Sequence, residues 1–245
     1  MKFKSMGGMK SKDWESKDQK YIRSLISEGE HRELDFKFEI SDARKIARTL
    51  SAFSNTTGGR LLIGVKDNGR ISGIRSDEEY YMVESAAHLN CRPEVRFESR
   101  NHFIEGKNVL EIYIPPVEKK PVYARDTDNR WMAYMRVDDQ NVLASVIQLE
   151  VWKAEGRSRG KLLEFTRRER ILLGYLEKEP GRSLQKIQRD TGFRRKELIS
   201  LITKLIQFDV VEMQFQEGMD VFLLKERPGE MNHRQGPGDS LKNTP

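Results

Sequence analysis

The chain has 245 residues, 37% of them apolar and 33% charged, with a mean hydropathy of −0.71 and a formal charge of +6. That length suits two compact domains, and the 3 Trp, 7 Tyr and 11 Phe exclude wholesale disorder. No run approaches the roughly 20 apolar residues of a membrane-crossing helix, Met1 to Lys12 lacks the apolar stretch of a secretory leader, and the lone Cys91 excludes an internal disulfide, so a cytoplasmic location is expected.

Residues 1–12 read as a flexible N-terminus and 13–152 as a first domain. Asp18 to Ile26 has a helical pattern, with Tyr21, Ile22, Leu25 and Ile26 on one face. Leu34, Phe36 and Phe38 alternate with polar residues, which predicts a strand. Ser41 and Asp42 can cap a helix over Ala43 to Phe53, whose inner face is Ile46, Ala47, Leu50 and Phe53. Arg60 to Lys66 reads as a strand, and Asp67-Asn-Gly69 turns it into Arg70 to Ile74 as a hairpin. A helix is predicted from Asp77 to Leu89. Glu94 to Phe103 and Lys107 to Ile114 form a second hairpin, and Val122 to Arg125 and Trp131 to Val137 are further strands. Trp131, Tyr134 and Met135 read as core residues. The mixture of helices and hairpins predicts an α+β class.

Lys153 to Lys161 is basic, glycine-containing and without hydrophobic period, so 153–161 reads as a linker. Residues 162–225 form a second domain. Thr166 can cap a helix over Arg167 to Glu177, Ser183 a helix ending at Thr191-Gly192, and a third helix runs from Arg194 to Phe208. Val210 to Phe215 and Val221 to Leu224 make a closing hairpin. Three helices and a hairpin in this order predict a winged helix-turn-helix. Residues 226–245, rich in Pro and Gly, read as a disordered tail.

Charge separates the two domains. Residues 13–152 hold 21 Lys+Arg against 24 Asp+Glu, whereas residues 153–207 hold 15 against 7. The basic excess therefore falls where a docking helix is expected. In a helix-turn-helix the start of the last helix meets DNA, which makes Arg194, Arg195 and Lys196, with Arg189 just before them, the candidate nucleic-acid contacts. A solvated basic face would have the same composition, and Glu212, Glu217 and Asp220 make the hairpin acidic, a poor surface for phosphate.

Glu30-His-Arg-Glu-Leu-Asp-Phe-Lys37 resembles the opening motif of the Schlafen AlbA-like domain family. The resemblance continues through Ile46 to Gly73, which contains Ala52-Phe-Ser-Asn-Thr-Thr-Gly-Gly59 and Gly64-Val-Lys-Asp67. It returns at Lys120-Pro-Val-Tyr123, Tyr134-Met-Arg-Val137 and Ala144-Ser145, spanning roughly residues 20–150. The resemblance implies an α+β domain that binds nucleic acid, in bacterial relatives often joined to a C-terminal winged helix and described as a transcriptional regulator. DNA is the expected partner ahead of RNA, and a homodimer is expected because two-fold operators match two-fold proteins.

Some animal relatives cleave tRNA or rRNA through a three-carboxylate, metal-dependent site. That site maps onto Glu30, Asp35 and Asp67, with Lys37 beside them; the family usually has Glu where this chain has Asp35. Three converging carboxylates can hold Mg²⁺ or Mn²⁺ and activate a water, and Lys37 can hold the phosphate. Asp67-Asn-Gly69 is equally an ordinary turn, and Asp35 with Lys37 equally an ion pair. Asn55, Gly58 and Gly59 sit between a helix and a strand, where backbone amides can cradle a phosphate or simply end the helix. The family carries ATP-binding labels, but no Gly-x-x-x-x-Gly-Lys-Ser/Thr stretch is present, so ATP hydrolysis is not expected. The histidines His31, His88, His102 and His233 are too scattered to predict a metal cluster. Three functions stay open: a DNA-binding regulator, a metal-dependent endoribonuclease and a protein-interaction module.

Overall fold

The computed structural model describes residues 10–155 and 165–225, with side chains from residue 17 onward. The expected flexible ends at 1–9 and 226–245, most of the linker and His233 lie outside the described residues. The chain divides into two compact units, Met1–Gly156 and Arg157–Pro245. Both are α+β, and no described helix is long and apolar enough to cross a membrane.

In the first unit the elements follow the order α1 (Lys10–Glu28), β1 (Leu34–Lys37), α2 (Ala43–Asn55), β2 (Gly59–Ile63), α3 (Glu78–Leu89), β3 (Cys91–Arg92), β4 (Glu98–Ile104) and β5 (Lys107–Ile114). Then come β6 (Tyr123–Arg125), β7 (Trp131–Val137), β8 (Gln140–Leu143) and α4 (Val146–Glu155). One sheet has the order β1-β2-β5-β4, with β1 parallel to β2 and the other pairs antiparallel. A second sheet has the order β3-β6-β7-β8. Helix α1 starts inside the segment read as flexible, and Lys153 to Glu155 continue α4 rather than open a linker.

Strand alternation sends β2 and β5 side chains to both faces of the first sheet. Leu34, Phe36, Leu62 and Val109 meet Ile22 of α1 on one side. Leu61, Ile63, Ile112 and Ile114 meet Leu50 and Phe53 of α2 and Val83 of α3 on the other. Val122, Ala124 and Tyr134 join this second core, so α2 lies between the two sheets. Asp42 caps α2 by accepting from the Arg44 amide at 2.8 Å.

The hairpin expected over 60–74 is reduced to one bridge between Val65 and Ile71. The cause is Gly64, whose φ of +93° bends the strand away after Ile63. Its carbonyl accepts from the amides of Ser72 and Gly73 at 2.8 and 2.9 Å. A Cβ at Gly64 would lie 2.8 Å from the Gly73 carbonyl carbon, so the approach needs glycine.

The second unit has α5 (Arg167–Lys178), β9 (Arg182–Ser183), α6 (Leu184–Thr191), α7 (Arg195–Gln207), β10 (Val211–Gln216) and β11 (Met219–Leu224). Its sheet order is β10-β11-β9. Thr166 and Glu169 form a reciprocal capping box at the start of α5. Glu169 is buried, which by itself favours its neutral form. Its contact with Lys204 Nζ at 2.6 Å and the Thr166 hydroxyl outweigh that and hold its carboxyl down at about 2. This joins α5 to α7 beneath a core of Leu172, Leu176, Ile187, Leu198, Ile202 and Phe222.

Candidate functional site

Three of the carboxylate-site residues meet on β1 and the turn before it. Asp35 is 3% exposed, and its Oδ2 lies 2.8 Å from Lys37 Nζ, two residues along the same strand face. Glu30 Oε1 accepts from the Phe36 amide at 2.8 Å. Burial, together with the neighbouring Asp35 charge, pushes the Glu30 carboxyl above the usual carboxylate range despite that amide. Asp67 stands apart, exposed in the turn after the Val65 bridge. Among the described residues no three of His, Cys, Asp or Glu are grouped to hold a metal ion. The expected convergence of Glu30, Asp35 and Asp67 is therefore not formed. Asp67 lies instead in the exposed turn that follows the Gly64 bend.

Asp35 faces a residue that the sequence reading left without a role. Arg136 of β7 is 2% exposed and places Nη2 3.1 Å from Asp35 Oδ1. The same nitrogen donates to the Leu34 and His31 carbonyls at 3.3 and 3.4 Å, and Nη1 donates to Asn141 Oδ1 at 3.0 Å. Its guanidinium carbon lies 5.1 Å from the centre of the Phe53 ring. Arg136 thus pins the second sheet to β1. The sequence signal was an arginine two residues after Tyr134, which strand alternation sends to the same inward face of β7.

The helix-to-strand loop at Asn55–Gly59 is occupied from within. Asn55 Oδ1 accepts from the Val122 amide at 2.7 Å, and Nδ2 donates to the Val122 and Tyr134 carbonyls at 2.8 and 2.9 Å. The Gly58 amide donates to the Phe53 carbonyl at 3.0 Å, closing the helix. A Cβ on Gly58 would sit 2.7 Å from the Ile114 carbonyl oxygen, and one on Gly59 2.5 Å from the Phe53 ring. The Asn55 side chain and the Gly58 amide therefore hold the helix end and are not available to a phosphate. Asn55→Ala would strand the buried Val122 amide, while the Val122 carbonyl keeps the Ser51 hydroxyl at 2.8 Å. The change should destabilise the first unit by about 1–3 kcal/mol in urea unfolding. A loss below about 0.5 kcal/mol would contradict this bracing role.

A second polar cluster clamps α1. Buried His102 lies between two carboxylates, with Nδ1 2.6 Å from Asp18 Oδ1 and Nε2 2.8 Å from Glu111 Oε2. Only the imidazolium donates to both. Tyr21 donates to Glu111 Oε1 at 2.6 Å, and Arg60 Nε reaches the same oxygen at 3.1 Å. A cavity of about 430 Å³ opens beside this cluster between Tyr21, Arg60, Arg100 and Tyr113. Burial alone would lower the His102 pKa, but bonds to Glu111 and Asp18 outweigh it and raise it. A folded pKa above the unfolded value gives stability that is full below the ordinary histidine range and lost as pH climbs through the raised value. Denaturation midpoints should accordingly fall as pH rises above about 6.5, and His102→Gln should flatten that slope. An equal slope in the variant would remove His102 as its cause.

In the second unit, Ser183 caps α6 by accepting from the Lys186 amide, and Gly192 ends it with φ +72°. The chain then enters α7 at Arg194, which occupies the cap position without a side-chain cap bond. Arg194, Arg195 and Lys196 are exposed, and none has an ion-pair partner among the described residues. Arg189 is also exposed, with only a loose 3.9 Å approach to Asp190.

The chain resembles the DIP2311 protein from Corynebacterium diphtheriae at 17% identity and a TM-score of 0.44, over 78% of this chain and 37% of that protein's length. It resembles the N-terminal domain of a RecG-related protein from Nitrosomonas europaea at 22% identity and a TM-score of 0.37, over 60% of this chain and 94% of that domain. No curated protein matches the chain in sequence. The family described as Schlafen, AlbA_2 matches residues 30–145, the stretch that holds Glu30, Asp35, Asn55 and Arg136. The first unit is thus similar, over residues 30–145, to the Schlafen AlbA_2 family.

Proposed function

We propose that this chain is a nucleic-acid-binding protein, a DNA-binding transcriptional regulator whose second unit is a winged helix-turn-helix. Helix α7 would lie in the major groove, with Arg194, Arg195 and Lys196 on phosphates and base edges and Arg189 flanking them. One observation carries the reading: three exposed cations occupy the cap and first turn of α7 with no carboxylate partner among the described residues, Glu197 of that turn pairing with Arg168 instead. The helix dipole disfavours cations at that end, by about 0.3–1 kcal/mol each. An arrangement that is unfavourable in the free protein is relieved by an anionic partner. The match of residues 30–145 to the Schlafen AlbA_2 family supports nucleic acid as that partner.

A homodimer would place two α7 helices about 34–36 Å apart, one turn of duplex. The endoribonuclease reading lacks a formed three-carboxylate cluster among the described residues and is not advanced. The test is fluorescence anisotropy of the full chain with labelled duplex DNA and duplex RNA, at about 50 and 200 mM salt. Binding to DNA that weakens steeply with salt supports the reading. Failure to bind either duplex at the lower salt overturns it and favours a protein-interaction module.

A further inference from the structure

Trp131 was expected in the core, yet it is 37% exposed. Strand alternation explains why. Cys91, Ala124 and Tyr134 of the second sheet point into the α2 core, so Arg92, Tyr123, Arg125, Trp131, Ala133 and Met135 share the opposite face. Helix α4 covers that face only in part, through Leu149 and Trp152 against Tyr123, Ala133 and Met135. Arg92, Arg125 and Trp131 fall beyond this cover.

These three residues are held close together. Arg125 stands directly across from Trp131 in the β6–β7 ladder, and the Arg92 guanidinium carbon lies 5.7 Å from the Trp131 ring centre. Neither arginine has an ion-pair partner among the described residues, and Arg125 Nε finds no acceptor. The neighbouring Arg130, by contrast, is neutralised by Asp126 and Asp128 at 2.9 Å each. The chemistry is thus a part-exposed indole beside two guanidiniums without a carboxylate partner, with Arg92 over the indole ring and Arg125 half-buried across from it.

We infer that Arg92, Arg125 and Trp131 form a binding site for single-stranded nucleic acid, in which an unpaired base stacks on the indole and the arginines take the flanking phosphates. Single strands are specified because a paired base hides its face inside the helical stack, whereas an unpaired base offers it. The acceptors brought by the phosphates match the free donors of Arg92 and Arg125, a charge complementarity that an apolar or basic partner lacks. The inference rests on the nucleic-acid reading above but uses a surface of the first unit, independent of α7.

The test is anisotropy of the full chain with labelled single-stranded oligo-dT and oligo-U, run beside the duplex. Trp131→Ala should weaken single-strand binding about tenfold or more, because base–aromatic stacking is lost, while duplex binding stays within about twofold. Trp131→Phe keeps an aromatic face and should stay close to the parent, which separates stacking from any loss of fold. Arg92→Ala with Arg125→Ala should lower the salt slope by about 1.4, at roughly 0.7 per phosphate contact. The ratio of oligo-dT to oligo-U binding tells which sugar the site accepts. Unchanged single-strand affinity in Trp131→Ala overturns the site, as does failure of the parent to bind either oligonucleotide. Loss of duplex binding only in an Arg194/Arg195 variant, with single-strand binding intact, shows that the two surfaces act separately.

Discussion

Replacing Arg194 and Arg195 together with alanine is expected to weaken duplex DNA binding by about 2 kcal/mol or more, roughly thirtyfold. The salt slope should fall in parallel by about 1.8, since each phosphate contact on a duplex contributes roughly 0.9. Both side chains are exposed and neither has an ion-pair partner among the described residues, so stability should stay within about 0.5 kcal/mol. Removing two cations from the end of a helix where the dipole repels them can even raise it. Lys178→Ala offers a comparison, since it removes an exposed charge from the C-terminal turn of α5 instead. If the Lys178 variant loses as much affinity as a single arginine variant, binding reflects bulk charge and not docking of α7. If the double variant binds as the parent does, the docking geometry is wrong.

The second unit was read from its sequence almost element by element, because its signals are local. Thr166 with Glu169, Ser183, and Gly192 mark the helix ends chemically, and Leu198, Leu201, Ile202 and Leu205 repeat at helical spacing. The exception is β9, two residues long, which exists only because β11 pairs with it. In the first unit α2, β5 and β7 were legible for the same local reasons. The short β8 and the weakly amphipathic α4 were not, since their order comes from Ala144 and Trp152 packing under the second sheet.

The candidate site was legible as a list of residues but not as an arrangement. Glu30, Asp35 and Lys37 are near in sequence and meet in space. Asp67 lies in the exposed turn after the Val65–Ile71 bridge and is not grouped with them as a metal ligand. Arg136 is 101 residues from Asp35, and no local pattern announces a partner at that separation. Asn55 lay in a motif rich in glycine, which invites a phosphate-loop reading. Its amide instead bonds backbone groups 67 and 79 residues away.

Arg136→Met should destabilise the first unit by about 3–5 kcal/mol, the usual consequence of removing one partner of a buried ion pair. Asp35 would remain buried with Lys37 as its one cation and Glu30 still beside it, and the Leu34 and His31 carbonyls would lose a donor. Methionine nearly fills the volume and keeps contact with the Phe53 ring, so packing contributes little to the loss. The decisive comparison is the double variant Asp35→Asn with Arg136→Met. Neutralising Asp35 removes the stranded charge, so the double variant should recover at least about half of the loss. Urea unfolding followed through Trp152, buried between β7 and α4, measures both. A double variant no more stable than Arg136→Met would show that the lost carbonyl contacts, and not the orphaned charge, dominate. Asp35→Asn carries a second readout. The Asp35 charge helps to raise the Glu30 carboxyl, so removing it should let Glu30 ionise at lower pH, visible by NMR titration of its side-chain carbon. A Glu30 titration that does not move would mean that burial alone sets it.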